Sequence, residues 1–151
     1  MREFQGSLRG EGLRIAIVVS RFNSAITERL LKGAVERLLQ GGVKREDIDV
    51  YWVPGSFELP QTVRRLIKSG KYDGLIPLGC LIRGETPHFE FLARAVTAEL
   101  ARLSLEGTPL VFGLLTVDTP EQGLARSGLK SHKGAEAAES LLELIDLLRQ
   151  I

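Results

Sequence analysis

A short loop with a histidine at its exit is the part of the chain best suited to chemistry. The loop has the sequence Gly84-Glu85-Thr86-Pro87-His88. Thr86 followed by Pro87 is typical of a helix N-cap with proline in the first helical position. The first amides of a helix lack internal partners and carry the positive end of its dipole, so we expect this loop to bind an anion such as phosphate. The same dipole favours the neutral ring of His88, which can accept a proton, although a histidine that only caps or packs a helix start is the alternative.

Length and composition indicate one domain, residues 1–151, that needs no disulfide to fold. One cysteine excludes an internal disulfide, and one cysteine with two histidines argues against a zinc site built by the chain. The first residues lack the apolar core of a signal peptide, and no apolar run approaches the ~18 residues of a membrane span. We therefore expect a cytoplasmic protein. Its 20 basic and 19 acidic residues are scattered and give a net charge of +1, which argues against a nucleic-acid or membrane partner.

Apolar strands alternate with amphipathic helices along the chain. The pattern predicts strands at 14–20, 49–53, 74–79 and 110–117, and helices at about 24–40, 60–70 and 87–105, a short one from 119, and one at about 133–148. Strict alternation favours a three-layer α/β/α sandwich with a four-stranded parallel, flavodoxin-like sheet.

Unusual residues follow the ends of three predicted strands. They are Arg21-Phe22-Asn23, Pro54-Gly55-Ser56-Phe57-Glu58 and the loop that ends at His88. Ligands of open α/β sheets bind beyond the carboxyl ends of the strands, so one pocket is expected to collect these residues. Phe22 offers a ring for stacking on a planar heterocycle, and Ser56 and Glu58 offer acceptors for polyol hydroxyls.

Each of these residues also has a structural alternative. Phenylalanines such as Phe22 and Phe57 are more often core or loop-packing residues, whereas Asn23 is explained equally well as an N-cap and Glu58 as a solvated carboxylate of a first helical turn. The inference of a site therefore rests on their convergence at one sheet edge.

The order of five motifs resembles that of the lumazine synthase family. The motifs are Ser20 to Asn23, Val53 to Pro60 (VPGSFELP), Gly79 to His88 (GCLIRGETPH), Phe112 to Thr116 and Lys133 to Ala138, and the resemblance spans about residues 14 to 145. It implies condensation of two small-molecule substrates, 5-amino-6-ribitylamino-uracil and 3,4-dihydroxy-2-butanone 4-phosphate, to 6,7-dimethyl-8-ribityllumazine. This reaction is the penultimate step of riboflavin biosynthesis and releases phosphate and water. The resemblance implies no cofactor and no metal.

The resemblance also implies roles for individual residues. It assigns stacking on the pyrimidine to Phe22, proton transfer to His88, and a wall of an adjacent subunit's site to Phe112. The other implied contacts are Asn23, Ser56, Phe57 and Glu58 for the ribityl chain, the backbone of Leu81 and Ile82 for the ring, and Glu85, Thr86 and Arg126 for the phosphate.

The segment from Arg126 to Lys133 departs from the family's pattern. The family's usual segment is similar to Gly-Thr-Lys-Ala-Gly-Asn-Lys-Gly, whereas this chain is one residue shorter, so Lys130 and Lys133 both remain candidates for the site. Arg126 lies about 9 Å from the start of its predicted helix, away from the strand edge where its own subunit's pocket opens. It is therefore better placed for a neighbouring subunit than for its own pocket. A solvated arginine on the helix dipole is the alternative. His132 is interpreted as an N-cap-region or surface residue and Cys80 as a packing residue.

Members of the family form homopentamers, and some pack twelve of these into an icosahedral capsid of 60 subunits. The sequence leaves the choice between pentamer and capsid open. Two other interpretations are a non-catalytic flavin-binding module and an inactive shell-forming protein of the same fold. The complete set of polar residues at the strand ends argues against both.

Overall fold

The predicted alternation is present in the structure, a computed structural model that describes all 151 residues. The strands are β1 (Ile15–Ser20), β2 (Ile48–Val53), β3 (Gly74–Ile82) and β4 (Gly113–Val117). The helices are α1 (Ser24–Gln40), α2 (Leu59–Ser69), α3 (His88–Leu103), α4 (Pro120–Arg126) and α5 (Lys133–Arg149). Single 3₁₀ turns at Arg45–Asp47 and Ser56–Glu58 precede β2 and α2.

The four strands form one parallel sheet in the order β2-β1-β3-β4. Strand β1 is central, with Ile15 opposite Ile48 of β2 on one side and Gly74 of β3 on the other. All six residues of β1 are buried, as its uncharged, largely β-branched sequence requires of a strand covered on both faces. The order is that of a flavodoxin-like sheet, which confirms the predicted fold class.

Helices cover both faces of the sheet. Alternate residues of β1 enter two cores: Ile15, Ile17 and Val19 pack with α1 and α5, whereas Ala16 and Val18 pack with α2 and α3. This division follows from the two-residue period of a strand, which sends neighbouring side chains to opposite faces. None of the helices combines the length and the apolar character that a membrane span requires.

The ends of two strands differ from the prediction by more than one residue. Strand β3 continues three residues further, to Ile82, because the apolar run after Gly79 pairs with β4 as far as Val117. Strand β4 begins at Gly113, and before it only Leu110 pairs with β3.

Side-chain caps mark the starts of two helices, α4 and α5. The Thr119 hydroxyl accepts the Gln122 amide at 3.2 Å at the start of α4. The two residues do not form a reciprocal capping box, because the Gln122 side chain accepts the amide of Asp118, at 2.8 Å, and not that of Thr119. His132 is the N-cap of α5, and its Nδ1 accepts the Ala135 amide at 3.3 Å, as its interpretation as an N-cap-region residue predicts.

Helices α1 and α5 pack at unusually close range at one point. A Cβ atom on Gly134 would lie 2.1 Å from the Leu30 carbonyl oxygen of α1, which is far inside van der Waals contact. Glycine at 134 therefore allows the start of α5 to lie directly on the backbone of α1.

We predict that Gly134→Ala destabilises the protein by about 1 to 3 kcal/mol, because the added methyl forces two packed helices apart. Urea unfolding would measure the change. Ser140→Ala, at an exposed position of the same helix, is the matched control and should stay within about 0.5 kcal/mol of the unsubstituted chain. Equal stability of the two variants would contradict the close-packing argument.

Candidate functional site

The loops that follow β1, β2 and β3 meet at the carboxyl edge of the sheet and form a cavity of about 440 Å³. Half of its fourteen lining residues are apolar, and several polar groups are spaced among them, which is typical of a small-molecule site. The lining residues are Phe22, Asn23, Gly55, Ser56, Phe57, Glu58, Cys80, Leu81, Ile82, Gly84, Thr86, His88, Phe89 and Leu92. The structure thus brings together the residues that follow three separate strands.

The Phe22 ring is positioned by backbone contacts between two loops. The amides of Arg21 and Phe22 donate to the carbonyls of Val53 and Pro54 at 2.8 and 2.9 Å. Gly55 permits the ring to lie against the second loop, since a Cβ there would lie 2.7 Å from the Phe22 Cδ2 atom. Phe22 remains 63% exposed, so it is not a core residue in this chain, and its ring can stack on a planar ligand.

The 3₁₀ turn at Ser56–Glu58 places three of the predicted residues. Glu58 Oε1 accepts the Gly55 amide at 2.9 Å, so one carboxylate oxygen stabilises the turn and the other is left for a ligand. Ser56 is buried, whereas Phe57 is 66% exposed and, like Phe22, is not a core residue here.

Asn23 joins the loop after β1 to the end of β3. Its Nδ2 donates to the Cys80 carbonyl at 2.6 Å, so its side chain does not cap α1, although the residue occupies the N-cap position. With φ of 62°, Asn23 is the only residue other than glycine with positive φ. Asparagine adopts this left-handed conformation more readily than most residues.

Helix α3 begins at His88, one residue later than the sequence predicted. Pro87 is the N-cap, with ψ of 1°, and no side chain caps the helix. The predicted N-cap role of Thr86 is therefore wrong, because the Pro87 carbonyl accepts the first helical amide, that of Glu90, at 3.0 Å. The Thr86 hydroxyl only approaches the His88 amide, at 3.4 Å. Both residues nevertheless line the cavity.

One arginine connects the loop between β3 and α3 to its surroundings. Arg83 Nε lies 2.8 Å from Asp118 Oδ1, and its Nη1 lies 2.7 Å from Glu90 Oε1. Its guanidinium carbon lies 4.8 Å from the centre of the Phe89 ring. The hydrogen bond from Arg83 lowers the pKa of the Glu90 carboxyl. The pKa of Glu90 is thus lower in the folded protein than in the unfolded chain. The ion pair therefore contributes its full stabilisation at pH values above the ordinary carboxyl pKa, and it is lost only as the pH falls through the lowered pKa.

Three lining residues were not predicted as part of the site. Phe89 and Leu92 belong to the first turns of α3, and the four-residue spacing of His88 and Leu92 on one helix face is the signal that points to Leu92. Cys80 lines the cavity from the end of β3 but is 1% exposed. Burial raises the pKa of its thiol to about 11, so it stays protonated at neutral pH, and its interpretation as a packing residue is confirmed.

Four predicted residues do not line this cavity. Glu85 is exposed beside it, and Phe112 lies just before β4, where its half-exposed ring contributes to a separate apolar groove of about 300 Å³. Arg126, the last residue of α4, lines a third groove together with Lys130 and Lys133. Lys133 Nζ lies 2.9 Å from Glu136 Oε2, whereas Lys130 has no ion-pair partner.

A larger groove lies elsewhere, between α2 and α3. It has a volume of about 770 Å³, contains none of the predicted residues, and has only one apolar residue among its nine lining residues. Ligand sites are mostly apolar, so we assign the candidate site to the smaller cavity at the strand ends. No group of three histidine, cysteine or acidic side chains is arranged to hold a metal ion.

The chain is similar to known proteins over its full length. A family model described as 6,7-dimethyl-8-ribityllumazine synthase matches residues 12–149. A 6,7-dimethyl-8-ribityllumazine synthase of Lactiplantibacillus plantarum is 51% identical, and the match covers 100% of this chain and 96% of the relative. Relatives of the same name from Kosmotoga olearia and Pediococcus pentosaceus are 51% and 47% identical, and each match covers 100% of this chain and 98% of the relative.

The conformation of Asn23 yields a prediction about stability. Asn23→Ala removes the hydrogen bond to Cys80, worth about 0.5 to 1.5 kcal/mol, and places alanine in a left-handed conformation that it adopts poorly. Asn23→Gly removes the same hydrogen bond without that strain. Urea unfolding should therefore rank the unsubstituted chain as most stable, then Asn23→Gly, then Asn23→Ala. An alanine variant at least as stable as the glycine variant would show that the left-handed backbone is not the controlling factor.

Proposed function

This chain belongs to the 6,7-dimethyl-8-ribityllumazine synthase family, from which we infer that it condenses 5-amino-6-ribitylamino-uracil with 3,4-dihydroxy-2-butanone 4-phosphate. The product is 6,7-dimethyl-8-ribityllumazine, and the enzyme is a transferase of riboflavin biosynthesis. Family membership over the whole chain favours this activity over a flavin-binding module or an inactive shell protein. We further infer that residues 1–151 act as one domain.

The observation that carries the proposal is the convergence of Phe22, Glu58 and His88 on one cavity. The exposed Phe22 ring is suited to stacking on the pyrimidine, and the turn that holds Ser56, Phe57 and Glu58 is suited to the hydroxyls of the ribityl chain. Asn23 offers the Oδ1 atom of its fixed amide to the same chain. Leu81 and Ile82, at the end of β3, line the same cavity, and we assign contacts with the ring to their backbone.

The reaction requires the movement of several protons and the departure of phosphate. An amine of the pyrimidine attacks the ketone and water leaves to form an imine; phosphate is then eliminated, and ring closure releases a second water. His88, at the start of α3, lines the same cavity, and we assign to it the transfer of protons between these groups, a role typically worth about 10²- to 10⁴-fold in rate. We assign donation to the phosphate to the amides of Glu85 and Thr86, in the loop before α3, as the family resemblance implies. Positioning of the two substrates is expected to contribute more than proton transfer, because amine and ketone react readily once held together.

We propose that the phosphate site is completed by a second subunit. Arg126 and Phe112 belong to grooves separate from the cavity of their own chain, so both are better placed to reach the cavity of a neighbour. Of the two candidate lysines beside Arg126, Lys130 is the one without a carboxylate partner, whereas Lys133 is paired with Glu136. Lys130 is therefore the stronger candidate for a phosphate contact.

A closed ring of subunits provides such shared sites at every interface, and a homopentamer is the ring that the family resemblance predicts. Exposed aromatic side chains at Trp52, Phe91 and Phe112 supply apolar surface for these contacts. Assembly into a capsid of 60 subunits and location in the cytoplasm remain predictions.

The proposed reaction predicts that the purified protein releases inorganic phosphate only when both substrates are supplied. A phosphate assay with each substrate alone and with both together measures this. A metal chelator should leave the rate unchanged, because the proposed phosphate contacts are amides, a guanidinium and an ammonium group. Phosphate release from one substrate alone, or loss of activity with the chelator, would contradict the proposal.

The shared site predicts complementation between two weakened variants. His88→Ala should lower turnover about tenfold or more but leave activity from substrate positioning, and Arg126→Ala should weaken binding of the butanone phosphate because a charge-assisted contact is lost. In closed rings refolded from an equal mixture, about a quarter of the interfaces combine an intact His88 with an intact Arg126. Activity should rise well above that of either variant. Mixed rings that show only the average of the two would place both residues in the site of a single subunit.

A further inference from the structure

We propose that Arg83 is a positioning residue that holds His88 and the phosphate-binding loop in their working geometry. This inference rests on the proposed function and adds to it a residue outside the cavity lining. Two observations support it. The start of α3 has no side-chain cap, and Arg83 contacts both of the residues that follow His88.

The start of α3 lacks the usual means of fixing a helix end. No side chain caps it, and the Thr86 hydroxyl only approaches the His88 amide, at 3.4 Å. Residues 83–88 are exposed, so burial does not hold the loop in place. An exposed, uncapped helix end frays readily. Some other interaction must therefore fix the imidazole relative to the sheet.

Arg83 supplies that interaction from the end of β3. Its backbone amide donates to the Val117 carbonyl at 2.8 Å, which anchors the residue to the last residue of β4. Its side chain then contacts Phe89 through the ring face and Glu90 through Nη1, at 2.7 Å. The remaining contact, from Nε to Asp118 Oδ1 at 2.8 Å, fixes the guanidinium itself. Through the Arg83 side chain, Phe89 and Glu90 are thus connected to the ends of β3 and β4.

These contacts depend on the shape of the guanidinium. A planar fork can pair with two carboxylates while its face lies on an aromatic ring, whereas the point charge of a lysine cannot maintain all three contacts. Exposed ion pairs contribute little to global stability, so the expected consequence of losing Arg83 is a displaced His88 and not an unfolded protein. A displacement of 1 Å can lower turnover by about 100-fold.

The experiment compares Arg83→Ala and Arg83→Lys with Arg102→Ala. Arg102, near the end of α3, is a matched control: it is similarly exposed and also pairs with two carboxylates, those of Glu99 and Glu106, but both partners lie at least eleven residues beyond His88 in the sequence. We expect Arg83→Ala to lower kcat by between about 10- and 100-fold, and Arg83→Lys to recover only part of the loss. KM for the pyrimidine should change little, because Phe22 and the loop after β2 are untouched. Arg102→Ala should retain full kcat, and the melting temperatures of the alanine variants should agree.

A double variant tests whether Arg83 acts through His88. If it does, Arg83→Ala should lower kcat much less in a His88→Ala background than in the unsubstituted enzyme. Fully multiplicative effects would overturn the proposal, as would equal kcat values for Arg83→Ala and Arg102→Ala. These outcomes are separate from failure of the proposed function, which would appear as an inactive unsubstituted enzyme.

Discussion

The parallel pairing of β1 with both β2 and β3 is the constraint on which the rest of the structure depends. Parallel strands end at one edge of the sheet, so the segments that follow them meet although they are far apart in the chain. Here that geometry brings Phe22, Glu58 and His88 to one cavity. The pairing also continues past the end of β1, where the amides of Arg21 and Phe22 donate to the carbonyls of the last residue of β2 and of the residue after it. The loop after β1 is thus held in the site by hydrogen bonds that continue those of the sheet.

Rigidity is distributed unevenly around this edge. The loops after β1 and β2 are bound to the sheet and to each other, through the amides of Arg21 and Phe22 and the side chain of Asn23. The loop after β3 relies on the exposed ion pairs of Arg83. Buried contacts resist local opening more strongly than exposed ones. The part of the site assigned to the pyrimidine is therefore built more firmly than the part assigned to phosphate and proton transfer.

Sequence patterns predicted the alternation of strands and helices, the parallel sheet and most of the cavity lining, because buried strands and amphipathic helices leave strong periodic signals. They placed the start of α3 one residue too early, since Thr86-Pro87 matches an N-cap followed by proline in the first helical position, whereas Pro87 itself is the N-cap. The hydrogen bond of Asn23 to Cys80 spans 57 residues, and no local pattern encodes it. Phe89 was missed because a phenylalanine beside a histidine in a first helical turn carries no signal of its own.

The burial of Cys80 has a practical consequence for chemical labelling. The chain contains one thiol, which is 1% exposed and protonated at neutral pH, so thiol-directed reagents meet no reactive group on the folded surface. A cysteine introduced at an exposed position such as Leu129 would therefore be the single site of attachment for a fluorophore or spin label. Distances between such labels on separate chains report directly on subunit arrangement. The native cysteine does not have to be replaced first, because it is not available to the reagent.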